Sequence, residues 1–203
     1  MWGLVESGSI TKLINNPKAM VIGDVRHSRK IFSLWSESER NAIGIYEVVF
    51  DDTNKKDEAY YTNTNQSFAF AGGVVTASYG SPTAKALDDR NETDKDGVEL
   101  DPVVVIPGLK TRHKERIKKQ AAGLLAPTDW YVIKATDVAE YSVPSAVSTF
   151  RANVRTKSNT METAIDNAAD VDALAALYEY VNTGTEENPV MERPLGEFPT
   201  LEI

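Results

Sequence analysis

The 203-residue sequence has no cysteine. That absence excludes a disulfide framework, thiolate zinc sites and a cysteine nucleophile, and it leaves the redox compartment undecided. Long hydrophobic runs are missing too: apolar stretches last a few residues, against the roughly 20 that a membrane-spanning helix requires. Met1-Trp2-Gly3 leads into strand-like sequence instead of a basic segment followed by an apolar one, so a soluble chain without a leader peptide is expected. Only two histidines occur, His27 in a basic loop and His113 in a basic helix, and neither has an acid or nucleophile spaced to suggest a triad. There is no P-loop and no G-x-G-x-x-G after a strand, so nucleotide binding is not signalled. Positive charge is in the minority: 22 Lys and Arg face 30 Asp and Glu, a net charge of -8 that repels phosphate. Neither nucleic acid nor a membrane is expected as a partner. No enzymatic activity, cofactor, metal ion or catalytic residue is expected, and the expected partner is protein.

What the sequence does contain predicts an α+β fold: an N-terminal antiparallel β-rich module, then a helical region with a basic helix, an antiparallel helix pair and an extended C-terminal arm. The expected divisions are a β-rich module over 1–80, an acidic linker with a short strand over 81–108, and a helical domain with its arm over 109–203. Residues 2–6 and 9–14 read as strands around a Ser7-Gly8 turn, stopped by Asn15-Asn16-Pro17. A further strand is expected over 18–22, and Arg26, His27, Arg29 and Lys30 read as a solvated basic loop. Ser36 and Glu39 make a capping box, predicting a short helix to about Ala42 that stops near Gly44, with Trp35 inside the core. Branched and aromatic residues over 45–50, 59–62, 67–70 and 74–79, with Asn63-Thr64-Asn65 and Gly72-Gly73 between, predict a meander of antiparallel strands. Tyr46, Phe50, Tyr60, Tyr61, Phe68, Phe70 and Tyr79 could form a sugar- or base-stacking face, but packing is the expected use of aromatics on such strands.

Between Ala86 and Asp101, seven carboxylates face only Arg90 and Lys95. Asp94-Lys95-Asp96-Gly97 resembles part of a calcium loop. An EF-hand register starting at Glu92 would put Val103 where the bidentate glutamate belongs, so an acidic turn is expected. Val103 to Ile106 reads as a short buried strand. Residues 109–125 have helical spacing at His113, Ile117, Ala121, Leu124 and Leu125, ringed by Lys110, Arg112, Lys114, Arg116, Lys118 and Lys119. Such a rod suits nucleic acid or membrane. It equally suits acidic protein surface, and residues 158–203 supply ten carboxylates against Arg193 alone; pairing within the chain or between copies is the favoured reading. Pro127 is expected to end the helix, with Tyr131-Val132-Ile133 extended and Trp130 buried as an anchor between the basic helix and the next. Pro144 opens a helix of about 20 residues whose apolar face is Val147, Phe150, Val154, Met161 and Ile165. Asp170 caps a second helix running to 182, packed antiparallel on the first, and 189–203 reads as an extended arm.

The run Ala122-Gly123-Leu124-Leu125-Ala126-Pro127-Thr128-Asp129-Trp130, followed by Pro144 and by Phe150-Arg151-Ala152-Asn153-Val154-Arg155, resembles the C-terminal region of tailed-bacteriophage tail fibre assembly and related tail-associated proteins. In these a helix ending in Leu-Leu leads to Asp-Trp, and a Tyr-Arg and a second Arg lie on the next helix; Phe150 stands here in place of the Tyr. Gly196-Glu197-Phe198-Pro199 with Ile203 is similar to their closing Phe-Pro segment, without its final Trp-Pro. The likeness covers about a third of the chain. It implies a non-enzymatic structural protein, made in the host cytoplasm and placed in the virion tail, that attaches or assembles fibre or baseplate components. Its implied partners are other tail or fibre proteins, within a homo-oligomer or larger assembly. Implied partner-binding residues are Trp130, Tyr131, Arg151, Arg155 and Phe198. The same likeness leaves open an assembly chaperone that is absent from the mature virion.

Overall fold

Ser7 and Gly8, both at positive φ (51° and 78°), turn β1 (Trp2–Glu6) back on β2 (Ser9–Ile14), and this hairpin seeds the sheet of the first unit. The computed structural model describes residues 1–64 and 66–202; Asn65, expected in a turn, and Ile203, from the closing segment, lie outside the described residues. Two compact units divide the chain, Met1–Thr83 and Ala84–Ile203, and the whole is of α+β class.

In the first unit, β3 (Met20–Ile22) and β4 (Val25–His27) form a separate hairpin, so the basic stretch expected as a loop begins as a strand. An unanticipated turn of helix, α1 (Ile31–Leu34), brings Ile31 and Phe32 against Leu4, Ile14 and Ile45, where Trp2 and Trp35 also pack. Helix α2 (Glu37–Ala42) starts at the predicted capping box: Glu39 N–H donates to Ser36 Oγ at 3.3 Å and Ser36 N–H to the Glu39 carboxylate at 2.8 Å. Then come β5 (Ile45–Asp51), β6 (Tyr61–Thr62), β7 (Ser67–Ala71) and β8 (Val74–Ser78). The main sheet has the order β2-β1-β5-β8-β7, and β8 runs parallel to β5 instead of continuing an antiparallel meander. The Gly72-Gly73 hairpin fixes β7 and β8 as antiparallel neighbours, but the long excursion from β5 leaves β8 free to enter in either direction. Tyr46, Phe68 and Phe70 pack beside Val48, Val75 and Ala77, whereas Phe50 is exposed.

After β9 (Thr83–Ala84) at the boundary, β10 (Arg90–Asn91) pairs with β11 (Val105–Ile106), so the stretch expected as a linker is a pinned loop. The Asp94 carboxylate accepts bonds from the backbone N–H of Asp96 (2.8 Å) and Val98 (3.0 Å), which makes it a turn organiser. The strand expected over 103–106 is confined to its last two residues, and Val103, Val104 and Val105 are exposed rather than buried. Helix α3 (Leu109–Leu125) has the predicted bounds and buries Leu109, His113, Ile117 and Ala121. It ends ahead of Pro127, as expected, but the chain does not become extended there. A 3-10 turn, Ala126–Thr128, carries the chain directly into α4 (Asp129–Asp137), which replaces the extended segment expected there. Proline near the start of a new helical turn keeps helical φ and gives up only a hydrogen bond that a first turn lacks anyway.

Helix α5 (Ser145–Asp166) buries every apolar position of the predicted stripe, with Arg151 and Ser158 among them. Asp170 accepts from Ala173 N–H at 2.7 Å and starts α6 (Val171–Ala176), which stops well short of 182. The antiparallel helix pair is therefore α3 with α5: Lys114 meets Asp166, Lys118 meets Glu162, and Leu125 meets Arg151. Strands β12 (Val181–Asn182) and β13 (Met191–Glu192) make a hairpin in what was expected as helix end and arm. The arm beyond it is docked, with Leu195 buried and Phe198 and Leu201 packed on Ala121, Phe150 and Val154.

Candidate docking surface

A buried guanidinium sets the direction in which α4 leaves the α3–α5 pair. Arg151 Nη1 donates to the Leu125 carbonyl at 3.0 Å and to Thr128 Oγ1 at 2.5 Å, and it meets the Asp129 carboxylate at 2.8 Å. Thr128 Oγ1 in turn donates to the Leu125 carbonyl at 2.7 Å. The chain thus passes through Pro127 with a carbonyl at the end of α3 and a carboxylate at the start of α4 held by one cation. A buried charge with several acceptors costs far less than an unpaired one. Arg151, expected to bind a partner, is consumed by this internal clamp.

Helix α4 has no buried residue. Tyr131 and Ala135, four apart, are half-buried, and the opposite stripe of Trp130, Ile133 and Asp137 faces water, with Trp130 49% and Ile133 61% exposed. Trp130 is therefore not the buried anchor expected at the Asp-Trp junction. Its ring lies on that of Tyr131, with centroids 3.8 Å apart and planes tilted by 31°. The Lys134 ammonium sits 4.3 Å from the Tyr141 ring centroid and 6.0 Å from that of Trp130. Val132 and Val138 add exposed apolar surface. An ordered helix with an aromatic and aliphatic exposed side suits a protein groove, because the loss of water from those groups drives association.

Of the other expected contact residues, Arg155 is exposed on α5 and donates to the Arg151 carbonyl at 3.4 Å, while Phe198 packs half-buried on the Phe150 and Val154 cluster. The structure therefore stacks half-buried Tyr131 against Trp130, which lies on the outward stripe, and turns Arg151 and Phe198 inward. Ile133 and Lys134 belong to that surface and were missed, since a residue expected in a strand gives no helical stripe to read.

The chain matches no protein-family model, no curated protein and no solved structure. Among the described residues no group of three or more His, Cys, Asp or Glu is placed to hold a metal ion, and no helix is long and apolar enough to cross a membrane.

The charge on α3 is met within the chain along one flank. Lys110, Lys114 and Lys118 pair with Asp88 (3.3 Å), Asp166 (2.7 Å) and Glu162 (3.4 Å). The Asp166 hydrogen bond raises the Lys114 ammonium above its ordinary range, and the Gly108 N–H, donating at 2.8 Å, holds the Asp89 carboxyl below its own. Beneath these lies His113, pushed down to about 4 by burial and then by the Arg116 charge, its ring 4.8 Å from that of Tyr178.

Proposed function

We propose that this protein is a non-enzymatic docking component of a bacteriophage tail, holding a neighbouring tail or fibre protein through the outward stripe of α4. The observation that carries the reading is the α4 helix itself: rigidly directed by Arg151, yet exposing Trp130 and Ile133 along its length. A large apolar side chain left in water on an ordered element costs solubility without adding stability, and contact with a partner gives it a use. The tail assignment rests on the resemblance of residues 122–130, 144, 150–155 and 196–199 to tail-associated proteins, in which Asp129-Trp130 would mark the docking helix.

Two experiments test it. Mass spectrometry of purified phage particles encoding this chain should find it as a stable constituent; finding it only on fibre precursors in the lysate would favour the assembly chaperone. Affinity capture of tail or fibre proteins from infected lysate should fall at least about tenfold for Ile133→Asp, a loss of about 1.4 kcal/mol. Capture equal to that of the unmodified chain would remove α4 as the docking element.

A further inference from the structure

The second unit, Ala84–Ile203, carries 21 carboxylates and 14 cations, so cations left unopposed there are conspicuous. Helix α3 has two charged flanks. The Lys110, Lys114 and Lys118 flank is paired with acids of its own chain. On the other, Arg112, Arg116 and Lys119 stand at i, i+4 and i+7, all exposed, and among the described residues none of them makes an ion pair. Beside this flank the chain makes an excursion closed at its base by Leu195 N–H donating to the Leu177 carbonyl at 3.0 Å. Its root lies along α3, with Tyr178 against His113 and Arg193 and Glu197 sharing a cleft with Gln120.

The excursion is the β12–β13 hairpin, and every residue from 179 to 192 is exposed. Local polar bonds hold it: the Asn182 side-chain oxygen accepts from Gly184 N–H (3.0 Å) and Val190 N–H (2.9 Å), and Thr183 N–H donates to the Val190 carbonyl at 2.8 Å. An isolated two-stranded hairpin is only marginally stable in water. This one bears Glu179, Glu186, Glu187 and Glu192 and also exposes Val181, Val190 and Met191. Acidic charge and uncovered apolar surface thus occur together on an element that lacks a core.

We propose that a second copy of this chain covers the hairpin, its Arg112, Arg116 and Lys119 flank receiving the Glu186 and Glu187 tip. The hairpin is rooted along the same helix that carries the cation flank, so a single two-fold axis satisfies both contacts at once and closes an isologous dimer. Val181 and Val190, on one face of the hairpin by its register, then lie inside a rim of opposite charges, the usual arrangement of apolar centre and polar edge. This contact is separate from α4, which stays available to a different protein.

Light scattering on the full chain tests it. At low salt the mass should be twice the 22.3 kDa of one chain, and it should fall to one chain when salt rises from about 20 mM to about 500 mM and the screening length drops from about 20 Å to about 4 Å. Arg112→Glu with Arg116→Glu should be monomeric alone, as should Glu186→Lys with Glu187→Lys. An equimolar mixture of the two variants should recover the dimer, because one contact then joins the two reversed patches and the other the two native ones. A monomer at every salt concentration, a dimer unaffected by either pair of reversals, or a mixture that stays monomeric because the hairpin pairs with its own helix would each overturn the proposal.

Discussion

Arg151 shows how one residue decides what its neighbourhood does. Its guanidinium takes the Leu125 carbonyl, the Thr128 hydroxyl and the Asp129 carboxylate, so Arg151→Met leaves those groups without a common donor and should lower unfolding free energy by about 2–3 kcal/mol in urea titration. An unchanged denaturation midpoint would mean that the clamp is redundant. His113 gives a pH signature. Its folded-state value, about 4, lies below the ordinary 6.5, so the unfolded chain binds the proton first; the contribution of neutral His113 is complete above pH 6.5 and is lost as pH falls towards 4. Thermal melts of the unmodified chain should therefore decline across that window, by up to about 3 kcal/mol, and His113→Phe should remove much of the slope. Gly44 is a third fixed point: at φ 81°, a Cβ there would stand 2.5 Å from the Val5 carbonyl, so Gly44→Ala should destabilise the junction of α2 and β5.

At the scale of elements, α4 reverses the expectation attached to its tryptophan. A buried anchor would cost about 3 kcal/mol or more on truncation, whereas a ring half in water and resting only on Tyr131 should cost about 1 kcal/mol or less. Trp130→Ala is thus predicted to keep its melting temperature within a few degrees while losing partner binding. The Lys114–Asp166 pair, short but solvated, should give no more than about 0.5–1 kcal/mol in a double-mutant cycle, falling with salt. Helices α3 and α5 were legible because their buried residues recur every three or four positions, and α2 because its capping box is a local chemical signature. The run Tyr131-Val132-Ile133 misled for a physical reason: its β propensity is a weak local preference, overridden by an arginine 20 positions further on. The parallel entry of β8 beside β5 was equally out of reach, since strand direction across a long excursion is settled by packing and leaves no local mark. Of the surface on α4, the Asp-Trp junction pointed to Trp130 and Tyr131, but Ile133 and Lys134 became visible only once the segment was helical.

At the scale of the whole molecule, charge explains more than composition suggests. A net charge of -8 conceals a helix with one flank of cations, Lys110, Lys114 and Lys118, met by acids from both sides of it in sequence, Asp88 before and Glu162 and Asp166 after. The excess acid is concentrated in the loops and the hairpin, beside exposed valines at 103–105 and on the hairpin itself. If the protein acts as proposed, α4 is the face presented to another protein of the tail. A photo-crosslinking residue at Ile133, with one at exposed Lys95 in the acidic turn as the control, tests it in assembled particles. A discrete adduct with a tail or fibre protein is expected from position 133 and none from position 95. Equal adducts from both positions, or none from 133 in particles that contain the chain, would contradict it.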